Sequence, residues 1–156
     1  MTRTIKVDIC VIGAGSGGLS VAAGASQMGA KVALIERAKM GGDCLNYGCI
    51  PSKSLIAAAH AAHTMRHADK FGIANVTPAV DYAALRDHIR GVIAAIEPND
   101  SVERFTALGV NVIQAAARFT GPAEIEAGDI RVQARRFVIA TGSAALVPPI
   151  PGLEAT

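Results

Sequence analysis

The stretch "CVIGAGSGGLS", Cys10 to Ser20, decides the fold. It joins the end of an apolar, β-branched run, Ile5 to Ile12, to glycines at 13, 15 and 18 and then to an alanine-rich segment without a breaker. The run reads as a buried strand and Leu19 to Gln27 as a helix, with Gly29 suited to its C-terminal stop. "KVALIE", Lys31 to Glu36, follows as a second buried strand. A strand, helix and strand in about thirty residues make a βαβ unit, whose crossover is right-handed and whose strands are parallel.

In that setting the G-x-G-x-x-G spacing has a physical meaning. Gly13 permits the tight turn, Gly15 lets the backbone approach a pyrophosphate, and Gly18 lets the helix pack close to the strand. Exposed amides at the helix start meet the phosphate charge. Glu36 ends the second strand, where an acid accepts hydrogen bonds from both hydroxyls of an adenosine ribose. A nicotinamide site and a flavin site share this fingerprint, so the residues alone leave the dinucleotide open.

Outward from there, "GGDCLNYGCIPSK", Gly41 to Lys53, sets two cysteines five positions apart. On one ideal α-helix their Cα atoms would lie roughly 8.7 Å apart, beyond the ~7 Å limit for a disulfide. Either the thiols are unbonded or the backbone is distorted, and Gly48 and Pro51 favour distortion into a tight loop or an irregular first helical turn. A thiol at a helix N-terminus has its thiolate stabilised by the dipole, and Lys53 adds a nearby positive charge. That favours a redox pair over two alternatives, zinc ligation and inert thiols. Cys44 and Cys49 supply only two zinc ligands, and His60 and His63 begin eleven residues later. Cys10 reads as a small core residue, and His60, His63 and His67 as a solvated helix face, so no metal is assigned.

Further along, Ser54 to Ala68 favours helix. Tyr82, Leu85, Ile89, Val92, Ile93 and Ile96 recur at spacings of three and four behind Asp81, which predicts an N-capped amphipathic helix that Pro98 ends or kinks. Ser101 to Leu108 is a short helix closing at Gly109. From Val110 the period changes, and "VNVIQAAARF", "AEIEAG", "DIRVQA" and "RRFVIATG" predict a small antiparallel meander followed by one more buried strand. The proline-rich tail "ALVPPIPGLEAT" reads as a linker.

The bulk numbers fit one domain able to bury roughly 70% of its unfolded surface. The 156 residues are 51% hydrophobic and 18% charged with a net charge of +2. No basic stripe supports nucleic-acid binding, and no run of about 18 apolar residues supports a membrane span. The N-terminal apolar stretch, interrupted by Lys6 and Asp8, is not a signal peptide, so a cytoplasmic location is expected. Cysteines in that compartment are catalytic or redox-sensing rather than structural.

Taken together, the dinucleotide fingerprint, Glu36, "GGDCLNYGCIPSK" and the "ATG" of Ala140 to Gly142 resemble the N-terminal part of the pyridine nucleotide-disulfide oxidoreductases, the group of dihydrolipoamide dehydrogenase, glutathione reductase and mercuric reductase. The resemblance covers essentially the whole chain and implies that the fingerprint holds FAD. It implies a Rossmann-like α/β domain with a parallel central sheet, helices on both faces and a small antiparallel β-meander, incomplete relative to the family. Residues 1–145 would be the FAD-binding part and 146–156 a linker toward an NAD(P)-binding domain.

By the same resemblance, Cys49 would be the charge-transfer thiol, Cys44 the thiol that exchanges with substrate, and Lys53 a charge near the reactive edge of the flavin. Gly13, Gly15, Ser16 and Gly18 would hold the pyrophosphate, with Gly42 and Asp43 beside it. Glu36 would hold the ribose, the backbone near Ala117 the adenine, and Thr141 and Gly142 a second side of the cleft. Asp43 departs from the threonine that most relatives carry there, and it would repel phosphate unless it turns away or meets a cation.

The parent enzyme would be a homodimer passing electrons from NAD(P)H through FAD and the cysteine pair to a small disulfide such as lipoamide, or to a metal ion. The chain by itself is expected to be inactive. Two other readings compete: a stand-alone flavin-binding or thiol redox module acting with a partner chain, and a nicotinamide-binding Rossmann domain with incidental cysteines.

Overall fold

Arg3–Ile12 (β1) forms a central strand of a six-stranded sheet in the computed structural model, which describes residues 3–144 and 146–153. The other strands are Val32–Glu36 (β2), Asn111–Gln114 (β3), Ala117–Gly121 (β4), Glu124–Ala127 (β5) and Ile130–Ile139 (β6). Their order is β3-β2-β1-β6-β5-β4. β3, β2, β1 and β6 are parallel, and β5 and β4 add on antiparallel to them. Helices occupy Ser16–Gln27 (α1), Gly42–Asn46 (α2), Cys49–Arg66 (α3), Tyr82–Ile96 (α4) and Val102–Ala107 (α5).

The pleat sorts side chains into two cores. On one face Val11, Val32 and Leu34 meet Leu19 and Ala22 of α1 and Phe105 of α5. Ser26 of α1 also donates its hydroxyl to the Leu108 carbonyl, tying α1 to the end of α5. On the other face Ala33, Ile35 and Ile113 share a cluster with Ile125, Ala127, Val132 and Ala134. Ile113 and Ile125 come from opposite halves of the sheet, and the residues of β1, β2 and β6 between them join them in one cluster. Leu34 and Ile35 are fully buried, and truncating either to alanine would cost about 2–5 kcal/mol.

β1 is irregular at Asp8–Ile9, where it meets the start of β2. The amides of Asp8 and Ile9 both donate to the Lys31 carbonyl, at 2.8 and 3.2 Å, so one residue faces two. Val7 and Cys10, three apart, therefore point into the same core. β6 follows, with Ala134 and Phe137 on that same side.

The chain departs from expectation in the second half. "VNVIQAAARF" breaks at Ala115–Ala116 into β3 and β4, which lie at opposite edges of the sheet. "DIRVQA" and "RRFVIATG" fuse into β6 because β1 offers partners from Ile130 to Ala134 and again from Arg136 to Ile139. Arg135 and Arg136, which look like a break, project into solvent, and Arg135 pairs with Asp8 at 3.3 Å. β5 pairs only with Ile130 to Gln133 of β6. Among the described residues no strand adjoins the same edge of β6 from Arg136 to Ile139.

The helices follow their capping signals. Asp81 accepts from the amides of Ala83 and Ala84 at 2.9 and 3.1 Å and starts α4. Ser101 caps α5 by accepting from Arg104 N. α3 begins at Cys49 rather than Ser54, since Pro51 is compatible with a first turn and Gly48 ends the preceding segment. No helix among the described residues is long and apolar enough to cross a membrane. Of the expected linker, residues 146–150 carry no helix or strand, and Glu154 to Thr156 lie outside the described residues.

Candidate functional site

The C-terminal ends of the four parallel strands converge on one crevice, at the point between β1 and β6 where the strand order reverses. Gly13 follows β1 with φ +104°. Its amide donates to the Ile35 carbonyl, and Ala140 N donates to the Ile12 carbonyl, both at 2.8 Å. A Cβ on Gly13 would overlap the Ala140 carbonyl, and one on Gly18 would overlap the Gly13 carbonyl. Both positions are thus glycine for the protein's own packing. Gly15 is different, since a Cβ there would meet only the Gly42 Cα at 3.8 Å, an ordinary contact. α1 starts at Ser16 with no side-chain cap and no acid in its first turn. Bare backbone at an uncapped, unopposed helix start fits a dinucleotide pyrophosphate.

Glu36 faces this loop. Its Oε2 accepts from Ala14 N at 2.7 Å and its Oε1 from Ala38 N at 2.8 Å. A cleft of about 480 Å³ is lined by Glu36, Arg37, Ala117, Thr141 and Gly142. A second, of about 600 Å³, shares Glu36, Thr141 and Gly142 and extends past Gly15 and Gly42 to Asp43 and Tyr47. Of the sequence-predicted residues, Gly13, Gly15, Glu36, Gly42, Asp43, Ala117, Thr141 and Gly142 line these adjoining clefts, whereas Ser16, Gly18, Cys44, Cys49 and Lys53 line neither.

The cysteine segment docks on the glycine loop. Gly41 N donates to the Ala14 carbonyl at 2.9 Å, and Gly15 and Gly41 form an isolated parallel bridge. Gly42 takes φ +55°, a region that favours glycine. α2 then carries Cys44, the chain breaks at Gly48 with φ −108° and ψ −107°, and Cys49 opens α3. The backbone is thus broken between the cysteines, as Gly48 and Pro51 favour. Both thiols are free, Cys44 half-buried and Cys49 exposed. The Cys44 thiol is raised above its ordinary range, first by its side-chain hydrogen bond with Cys49, then by burial and by the Cys49 charge, with Lys53 pulling weakly downward. Lys53, exposed, lies one turn past Cys49 on the same face of α3.

Asp43 lies in the first turn of α2, and its Oδ2 sits where a Cβ on Gly48 would come within 3.0 Å. The carboxylate thus leans on the start of α3, whose positive dipole end suits it. Lys39 lines the same cleft, with its ammonium 5.8 Å from the Tyr47 ring centroid.

Sequence reading passed over Asn46. Its Nδ2 donates to the carbonyls of Met40 and Gly42 at 3.1 and 2.8 Å, locking the glycine turn to the cysteine helix. The available signal was an amide side chain in a short segment beside two glycines, where Asn competes for backbone partners. Arg37, Lys39 and Tyr47 were also missed, since single polar residues in a loop carry no period. His63 and His67 stack at 4.2 Å on the exposed end of α3, away from this crevice. Cys10 is fully buried and raised to about 12 by that burial. Among the described residues no group of three or more His, Cys, Asp or Glu is arranged to hold a metal ion.

Comparison with known proteins agrees with this geometry. The family described as pyridine nucleotide-disulphide oxidoreductase matches residues 7–156. A mercuric reductase of Streptomyces lividans is 37% identical over 94% of this chain and 32% of its own length. A dihydrolipoyl dehydrogenase of Haloferax volcanii is 38% identical over the same shares, 94% and 32%. Among solved structures, the Cu(II) complex of the HOCl-induced flavoprotein disulfide reductase RclA from Escherichia coli superposes with a TM-score of 0.74 at 25% identity, covering 96% of this chain and 31% of that one. The chain thus spans about a third of the length of the relatives it matches.

Proposed function

The chain belongs to the pyridine nucleotide-disulphide oxidoreductase family, and from that premise we propose that it is the FAD-binding, cysteine-bearing part of a flavoprotein disulfide reductase. The reading rests on one observation above all, the seating of Gly41 and Gly42, three and two residues ahead of the first cysteine, directly on Gly15 of the glycine loop. A thiol pair fastened to a pyrophosphate loop is what a flavin-linked dithiol needs, whereas a nicotinamide domain with incidental cysteines has no use for the fastening.

Bound FAD would supply two-electron transfer between NAD(P)H and the cysteine pair. Gly13, Gly15, Ser16 and Gly18 would present backbone to its pyrophosphate, with Gly42 and Asp43 alongside. Glu36 would accept the ribose hydroxyls, the Ala117 backbone would meet the adenine, and Thr141 and Gly142 would close the far side. Cys49, the more exposed thiol, would face the flavin, and Cys44, whose thiol is raised first by its hydrogen bond with Cys49, would exchange with substrate. Closing the Cys44–Cys49 disulfide releases two electrons and two protons, and reopening it takes up the same. Lys53 keeps a positive charge one turn from Cys49.

For the whole protein the substrate class is a small disulfide such as lipoamide or a metal ion, in keeping with the dihydrolipoyl and mercuric chemistry in two relatives' names. Residues 1–145 would be the flavin part and 146–156 the path to an NAD(P)-binding domain of a cytoplasmic homodimer.

The test is the visible spectrum of the purified chain, with FAD added and gel filtration following. Flavin bands that travel with the protein, and that change on Cys49→Ser, are expected. Rejection of FAD by both this chain and the longest natural product of its gene would overturn the assignment.

A further inference from the structure

We infer that Glu36 is a positioning residue that clasps the glycine loop into its binding shape before any nucleotide arrives, in addition to meeting a ribose. The inference deepens the reading of the crevice as a nucleotide site and rests on it. Both carboxylate oxygens are already engaged with backbone. Oε2 accepts from Ala14 N, between the first two glycines of the loop, and Oε1 accepts from Ala38 N on the bend after β2. These partners lie 22 residues back and two residues ahead. One side chain therefore ties the glycine loop to the segment leading into Gly41 and Gly42.

The clasp answers a difficulty in the sequence. Glycine at 13 and 15 gives this loop a large conformational entropy in the absence of ligand. The Ala14 amide belongs to a turn that β1 no longer pairs with β2, so it needs a partner from elsewhere. Glu36 supplies one that is charged, and hydrogen bonds to ionised acceptors are the stronger kind. A carboxylate has about four acceptor sites, so two remain for ribose hydroxyls after both amides are bound. The same group can thus preorganise the phosphate end of the site and read its sugar end.

The two roles separate experimentally. Backbone amide hydrogen exchange on the ligand-free chain is expected to show Ala14 and Ala38 protected, although Ala38 lies on an exposed bend outside any helix or strand. In Glu36→Gln the amide nitrogen of the new side chain faces one of these donors, and both residues should exchange at least about tenfold faster while Leu34 in the sheet is unchanged. Binding is then compared for ADP and for 2′,3′-dideoxy-ADP, which lacks the ribose hydroxyls. A clasp predicts that Glu36→Gln weakens dideoxy-ADP as well as ADP, with the lost ribose contact adding a further loss for ADP alone.

Exchange of Ala38 at the unprotected rate in the unsubstituted chain would overturn the inference. So would a Glu36→Gln that weakens ADP and leaves dideoxy-ADP untouched, the mark of a ribose contact alone. Should Glu36→Gln fail to fold, Glu36→Asp, one methylene too short to span both amides, gives the same readouts. If the unsubstituted chain binds neither ADP nor FAD, the nucleotide reading fails, and the exchange data still decide the clasp.

Discussion

Gly42 stands so close to Gly15 that a Cβ added to it would lie 2.6 Å from the Gly15 Cα. The relationship is not reciprocal, since a Cβ on Gly15 would clear Gly42 at 3.8 Å. The two glycines therefore answer to different constraints, and substitution separates them. Gly42→Ala meets both backbone overlap and a φ of +55°, and should destabilise the chain by about 1–3 kcal/mol. Gly15→Ala should cost less than about 1 kcal/mol and yet abolish retention of FAD. Urea midpoints beside flavin retention test the pair, and equal losses of stability would contradict the assignment of Gly15 to the ligand.

Asn46 holds the turn on which the cysteines are mounted. Asn46→Ala leaves the Met40 and Gly42 carbonyls without their side-chain donor, with an expected loss of about 1–3 kcal/mol. Because the turn carries Cys44, the rate of disulfide closure by a mild oxidant should fall as well. Asn46→Asp has the wrong polarity toward two carbonyls and should be no better than alanine.

The thiols should differ in reactivity. In the reduced chain, alkylation near neutral pH is expected at exposed Cys49 before half-buried Cys44, whose proton is held by its bond to Cys49. Cys49→Ala removes the side chain whose hydrogen bond, and then whose charge, raises Cys44, so the Cys44 titration should move down toward its ordinary range. Peptide mapping of iodoacetamide adducts against pH reads both. Preferential labelling of Cys44 in the unsubstituted chain would contradict the order that exposure and the Cys44–Cys49 hydrogen bond give the two thiols.

Cys10 ties stability to alkaline pH. Burial raises its thiol from an ordinary 9.0 to about 12, so the unfolded chain releases this proton first as pH rises. The contribution is complete below pH 9.0, erodes above it, and is gone once the pH passes about 12. Cys10→Ala should flatten the loss of stability in the lower part of that window, measured by denaturant midpoints from pH 8.5 upward in steps of about 0.5.

Much of the site could be read from the chain because its parts announce themselves locally. Gly13, Gly15 and Gly18 are bracketed by a strand and a helix within one short segment, and Glu36 closes the next strand. Cys44, Gly48 and Cys49 advertise a broken helix by their spacing. What escaped is what only tertiary pairing decides. Arg135 and Arg136 look like a break between two strands until β1 supplies a partner on both sides of it, and Ala115–Ala116 look like strand until β3 and β4 part to opposite edges. Asn46 and the clasp at Glu36 were hidden for a related reason, since their partners are backbone amides and carbonyls, which every residue has.

The half-paired β6 bears on how the chain behaves in solution. From Arg136 to Ile139 the edge facing away from β1 offers backbone donors and acceptors beside the apolar Phe137, Val138 and Ile139, with Ile139 68% exposed. An edge of that kind is a template for cross-chain pairing and aggregation. Two arginines stand at its entrance, and the guanidinium of Arg136 covers the Arg135 carbonyl at 2.8 Å. Charge at that point makes the first rung of a sheet-to-sheet ladder costly, so the polar pair that disguised the strand in the sequence also keeps one copy of the chain from zipping onto the next.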